Sequence, residues 1–101
     1  CLVAGDKKGS LNKIKKTLNI KDASMAAADD VKKITGYTIG GVSPIGLKNP
    51  LPIAIDGSLF RFDEVWCAAG HPFFVFHIPP GKLVQITKGI VSPNLAIGKE
   101  N

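Results

Sequence analysis

The chain has 101 residues, 45% of them hydrophobic and 21% charged, which is one domain's worth of globular polypeptide and far from the composition of a disordered tail. No run approaches the roughly 18–20 apolar residues that span a bilayer, no secretory pattern opens the sequence, and the glycines and prolines follow no collagen period. Thirteen Lys and Arg against eight Asp and Glu leave +5, unevenly spread: residues 1–33 hold eight lysines against Asp6, Asp22, Asp29 and Asp30, while the remainder is nearly neutral.

A basic first third points to a polyanionic partner, because phosphate contacts release counterions. A solvated lysine-rich helix accounts for the same charge equally well. In chain order, Cys1–Ala4 is a short apolar run stopped by Gly5-Asp6, the end of a buried strand. Ser10 precedes Leu11, Ile14 and Leu18 at helical spacing, a capped amphipathic helix that turns Lys13, Lys15 and Lys16 mostly outward. A second helix follows Ser24, with Met25, Ala28, Val31 and Ile34 on one face, Asp29 and Asp30 early and Gly36 as its stop.

From Gly36 to Pro52 neither the helical nor the strand period survives, because four glycines and three prolines fall in 17 residues. A loop of that length with so many apolar side chains is usually functional. Ile53–Ile55 is a short strand ending at the turn signal Asp56-Gly57. Glu64–Ala69 and Phe73–Ile78 read as two buried strands of a hairpin turning at Gly70-His71-Pro72. Pro79-Pro80-Gly81 opens a short helix with Leu83 and Ile86 that ends near Lys88-Gly89. Ile90–Ser92 is a last edge strand, and Gly98–Asn101 a frayed tail. The order gives an α+β fold around a mixed sheet.

Two cysteines 66 positions apart form neither a zinc motif nor a disulfide framework, so a reducing cytoplasm is the expected compartment. Cys67 sits in an apolar run with no neighbour to lower its pKa and reads as a buried small hydrophobe. No GxSxG, HExxH, P-loop or dinucleotide fingerprint occurs. Ser43 and Thr38 are loop hydroxyls without a visible base. Asp56 is either an Asx-turn residue or a carboxylate facing a pocket, and His71 either a plain turn residue or a pocket residue. The strongest local feature is Gly40-Gly41-Val42-Ser43-Pro44. Adjacent glycines and a rigid proline can turn backbone N–H groups into one concavity that holds an anion or a developing oxyanion. A merely tight surface loop is the competing explanation.

TGYTIGGVSPIG, then LPIAID, then EVWCAAGHPFFVFHIPPGKLVQIT resemble successive blocks of the YbaK/EbsC family, the aminoacyl-tRNA deacylases related to the editing insertion of bacterial prolyl-tRNA synthetase. The resemblance runs from about Leu2 to Ile90. It implies a YbaK-like fold over residues 1–101, a mixed sheet partly closed into a barrel with flanking helices and lacking its N-terminal part. It implies hydrolysis in trans of the ester joining a wrong amino acid to the 3′ end of tRNA, mainly tRNA-Pro, as translation quality control. On this resemblance the Gly40–Pro44 loop, with Gly40, Gly41, Ser43 and Pro44 as its site residues, holds the carbonyl and terminal ribose by its main-chain N–H groups. Asp56 completes the catalytic set as a pocket wall or orienting carboxylate, and Tyr37, Val42, Ala69, Gly70 and His71 line the amino-acid pocket. Lys13, Lys15 and Lys16, on charge alone, are candidates for acceptor-stem phosphates.

No metal or cofactor is implied. The expected partners are the aminoacylated acceptor end of tRNA and an aminoacyl-tRNA synthetase, with neither membrane nor DNA. The family's lysine, on a strand before the A-G-D segment, has no match here and would lie upstream of Cys1, so the chain reads as the C-terminal two-thirds of such a domain. Members that clear cysteine carry polar residues where this hairpin has Ala68, Val75 and the FFVF run, which leaves the amino acid removed open. A non-catalytic module of the same fold that grips tRNA ends or a synthetase is the alternative. A small basic RNA-binding protein is a third reading. It requires aromatic side chains exposed on a sheet face, whereas Trp66 and the phenylalanines lie in runs that read as buried.

Overall fold

The computed structural model describes residues 1–93 and 95–98. Its elements in chain order are β1 (Lys7–Gly9), α1 (Leu11–Leu18), α2 (Ala28–Thr35), β2 (Ala54–Asp56), a 3₁₀ turn (Gly57–Arg61), β3 (Val65–His71), β4 (Phe74–Ile78), α3 (Pro80–Thr87), β5 (Ile90–Ser92) and β6 (Ala96–Gly98). The α+β class agrees with the sequence reading, and parallel and antiparallel pairings both occur. The strands form three two-stranded sheets instead of one continuous sheet, however, and among the described residues they close no barrel. β1 pairs antiparallel with β6, β2 parallel with β5, and β3 antiparallel with β4.

β2 organises the core. Leu2 runs parallel to it on one side, donating to the Ala54 carbonyl (2.8 Å) and accepting from the Asp56 N–H (2.9 Å), while β5 lies on the other. Because successive strand side chains point to opposite faces, Ile55 joins Ala4 and Leu59 in one buried cluster and Ala54 joins Ile14 and Leu95 in a second. Val65 and Val84 pack against the first cluster, which ties the hairpin and α3 to this centre.

α1 forms as its spacing predicts. Ser10 caps it by accepting from the Lys13 N–H (3.4 Å), Ile14 is its buried residue, and Lys15 and Lys16 sit in the last turn, where the helix dipole favours cations. α2 begins at Ala28, four residues after Ser24, and Met25 lies outside it, 86% exposed. The expected apolar face of α2 is not buried: Ile34 is exposed, and the buried residue is Thr35, whose hydroxyl donates to the Val31 carbonyl (2.7 Å) and accepts from the Tyr37 N–H (3.1 Å). Gly36 ends the helix as anticipated.

The hairpin pairs as expected, but β3 runs on through His71 so that the turn falls at Pro72-Phe73, and the expected burial is wrong. Trp66 is 68% and Phe73 87% exposed, with Phe74 and Val75 also open to solvent. Only the face carrying Val65, Cys67, Phe76 and Ile78 is turned inward, since the two-stranded sheet has a second layer on one side alone. The pairing is irregular between Ala68 and His71. α3 and β5 form where expected, with Leu83 fully buried. β1 and β6 were not anticipated, being three residues each of mixed composition. Of the expected frayed tail, Gly98 ends β6, and Lys99–Asn101 lie outside the described residues. No described helix is long and apolar enough to cross a membrane.

Candidate functional site

The segment from Gly36 to Pro52 has no regular secondary structure, and side-chain and main-chain hydrogen bonds hold it in place. The Lys48 N–H donates to the Thr35 carbonyl (2.9 Å) and the Asn49 amide to the Ile34 carbonyl (2.7 Å), both on the last turn of α2. Tyr37 spans the loop: its hydroxyl donates to the carbonyls of Ile45 (2.8 Å) and Gly46 (3.1 Å), and its ring lies against Gly70. Thr38–Gly41 is a turn closed by the Gly41 N–H on the Thr38 carbonyl (3.0 Å), with Gly40 at φ +87° in the third position, where a type II turn calls for glycine.

This turn meets the end of the hairpin. A β-carbon on Gly41 would stand 2.8–2.9 Å from the main chain of His71 and Pro72, and one on Gly40 would reach the Pro72 ring at 3.9 Å. The close approach inferred for the glycines is therefore made, at Gly41, to the protein's own backbone. Gly40, Gly41, Tyr37, Gly70 and His71, separated by some thirty residues of sequence, come together here.

Beyond the turn, Val42 and Pro44 form a wall shared by two cavities. One, of about 220 Å³, is also lined by Leu2, Val3, Trp66, Cys67, Ala68 and Leu83. The other, of about 330 Å³, adds Ser43, Thr35 and Leu47. The N–H groups of Gly40, Val42 and Ser43 have no hydrogen-bond partner among the described residues. Ser43 is buried and its hydroxyl accepts from the Ile45 N–H (3.2 Å). No hydrogen bond links it to a histidine or carboxylate among the described residues, an arrangement unlike an activated nucleophile. The first cavity is apolar apart from two thiols, Cys1 and Cys67. Burial pushes the Cys67 thiol up, which keeps it protonated at neutral pH.

The other expected site residues are placed differently. Asp56 is 2% exposed and lines neither cavity: Oδ1 accepts from the Leu95 N–H (3.1 Å), and Oδ2 from the Ser58 N–H (3.2 Å) and the Ser58 hydroxyl. Burial opposes its ionisation, but the hydrogen bonds from Ser58, Leu95 and Ala96 outweigh it and hold the carboxyl below the ordinary aspartate range. Of its two readings the geometry matches the Asx turn. The residue caps the 3₁₀ turn and fastens the segment leading into β6.

Of the residues expected to line the amino-acid pocket, Val42 borders the two cavities. Tyr37 and Gly70 pack against each other behind the loop, and Ala68 lines the cavity in place of Ala69. His71 is exposed, its Nδ1 accepting from the Phe73 N–H (3.1 Å) and its ring against Phe73 and Phe74. Lys15 and Lys16 border a shallow hollow at the end of α1 that shares no residue with the two cavities, and the Lys13 ammonium reaches the Ala96 carbonyl (3.5 Å). Sequence reasoning missed Leu2, Val3 and Leu83 as cavity walls. An apolar side chain gives the same signal whether it faces a core or a hollow. No group of three His, Cys, Asp or Glu gathers among the described residues.

Comparison with known proteins gives these features a context. The model of a family described as the aminoacyl-tRNA editing domain matches residues 1–86. YwhH of Bacillus subtilis, itself uncharacterised, is 34% identical over 86 residues, 85% of this chain and 54% of that protein. The candidate Cys-tRNA(Pro)/Cys-tRNA(Cys) deacylase EbsC of Enterococcus faecalis is 26% identical over 88 residues, 87% of this chain and 54% of its own. The crystal structure of a candidate trans-editing enzyme for prolyl-tRNA synthetase superposes with a TM-score of 0.87 at 33% identity, covering 95% of this chain and 60% of that one. The chain thus spans about half the length of the curated relatives it matches.

Proposed function

The chain belongs to the aminoacyl-tRNA editing domain family, and from that premise we propose that it hydrolyses the ester of misacylated tRNA in trans, with mischarged tRNA-Pro as substrate and the cytoplasm as its place of work. The observation that carries this reading is the pair of N–H groups at Val42 and Ser43 with no hydrogen-bond partner among the described residues, Val42 bordering both cavities and Ser43 the second. Water attacks the ester carbonyl carbon, the bond to the terminal ribose oxygen breaks, and that oxygen leaves as a hydroxyl while the amino acid departs as its carboxylate. Negative charge gathers on the carbonyl oxygen during attack, and fixed main-chain donors stabilise it without reorganising. An aminoacyl ester is already activated, so placing carbonyl and water contributes much of the rate.

In this account Gly40 and Gly41 shape the loop and Pro44 fixes its exit. The cavity beside Val42 takes the amino-acid side chain. Asp56 is a positioning residue that acts through the 3₁₀ turn. His71, with Nδ1 accepting, carries the proton of its neutral ring on Nε2, as a donor at the loop's edge. A panel of mischarged tRNAs tests the proposal: release of one amino acid well above the uncatalysed rate supports it, and background rates throughout defeat it.

One observation favours a second reading. The first cavity holds no ionisable side chain other than its two thiols, an arrangement suited to gripping an aminoacylated end, or a synthetase that carries it, without hydrolysis. Saturable binding of charged tRNA with its ester intact selects that reading.

A further inference from the structure

Strand alternation puts Trp66 and His77 directly opposite each other on the outward face of the β3–β4 hairpin. Their rings lie 5.0 Å apart at 52°, and Ala68 and Val75 continue the same face. Two carboxylates near this face are paired: Glu64 bonds His77, and Asp6, which lines a hollow with Trp66, Glu64 and Phe62, pairs with Arg61 (3.0 Å). An exposed tryptophan backed by a second ring is a surface that every nucleobase can stack on, whatever its edge.

Trp66 is also a wall of the cavity it shares with Val42 and Pro44. The chemistry of the substrate makes that juxtaposition meaningful. The ester of a charged tRNA sits on the terminal ribose, and the same ribose carries the terminal base, so a surface receiving that base must lie within one nucleoside of the groups holding the carbonyl. We propose that Trp66, supported by His77, is the stacking platform for the unpaired terminal base of the tRNA. This assignment rests on the reading of the Gly40–Pro44 loop as the carbonyl cradle. The net charge of +5 draws an RNA end toward the protein, and the aromatic face then orients it.

Trp66 is the chain's one tryptophan, so its emission reports the contact directly. The test titrates the full chain with an uncharged RNA hairpin ending in unpaired CCA, following Trp66 fluorescence and RNA anisotropy together, against the same hairpin with its 3′ end base-paired. The proposal expects saturable quenching by the unpaired end, little by the paired end, and an affinity loss of about ten-fold for Trp66→Ala that Trp66→Phe largely restores. Anisotropy that saturates while Trp66 emission stays unchanged overturns it. So does equal quenching by both RNAs, or an emission change on concentrating the protein alone, which would mean that a second copy covers the face. Because the RNA is uncharged, the outcome is independent of hydrolysis. Deacylation without quenching removes the platform and keeps the enzyme, and quenching without deacylation does the reverse.

Discussion

Gly41 lies against the main chain of His71, so close that a β-carbon would stand 2.8 Å from the His71 carbonyl carbon and 2.9 Å from its Cα. Backbone atoms on both sides cannot step aside as a flexible side chain would. Gly41→Ala should therefore lift the loop from the hairpin, destabilise the chain by roughly 1–3 kcal/mol and lower deacylation more than ten-fold. Gly40→Ala makes only an ordinary contact with the Pro72 ring but must hold φ at +87°, a strain of about 1–2 kcal/mol. Urea midpoints and single-turnover rates for both variants check the contrast.

Tyr37 supports the loop from behind through a hydroxyl proton shared between the Ile45 and Gly46 carbonyls. Tyr37→Phe keeps the ring against Gly70 and removes this shared bond. Because one hydroxyl proton is shared between the two carbonyls, the expected loss is about 0.5–1.5 kcal/mol in total, with a rise in protease sensitivity between residues 38 and 47. Limited proteolysis with mass spectrometry locates the cuts. Protection equal to wild type would mean that the hydroxyl does not hold the loop.

Asp56 sets an acid dependence. Its folded pKa lies below the ordinary aspartate value, so the unfolded chain takes up the proton first. The stability it contributes is complete above the unfolded pKa and is lost as pH falls through and below the aspartate range toward the folded pKa. Urea midpoints should drop between about pH 5 and pH 3, and the drop should be shallower in Asp56→Asn. Asp56→Ala at neutral pH leaves the Leu95 and Ser58 N–H groups without acceptors, at a cost of roughly 1–3 kcal/mol for each group left buried.

The sequence made the loop, its proline exit and the capped first helix readable, because glycine, proline and Ser10 act through their own backbone geometry. It misjudged burial on the hairpin. FFVFHI carries the apolar content of a core strand, and only the pairing of β3 with a single partner leaves Trp66, Phe74 and Val75 facing solvent. It left the role of Asp56 open for a similar reason. An aspartate before glycine is the same signal for an Asx turn and for a pocket carboxylate, and the acceptor role toward Leu95 depends on a segment 39 residues away.

Cys67 borders the candidate cavity with its thiol held protonated by burial. Cys67→Ser should leave the deacylation rate within a few-fold of wild type. A maleimide pulse at neutral pH should label the exposed Cys1 long before Cys67. Loss of activity on Cys67→Ser in a folded chain would assign the thiol a chemical role that the geometry does not give it.

The peptide nitrogen of Val42 is the donor on which the proposed carbonyl cradle most directly depends. Replacing that one amide by an ester removes the N–H and keeps every side chain, and the quantity to measure is the single-turnover rate on a mischarged tRNA. A fall of about 10²–10³-fold in a chain that still folds is the predicted result; an unchanged rate would contradict a cradle built from main-chain donors.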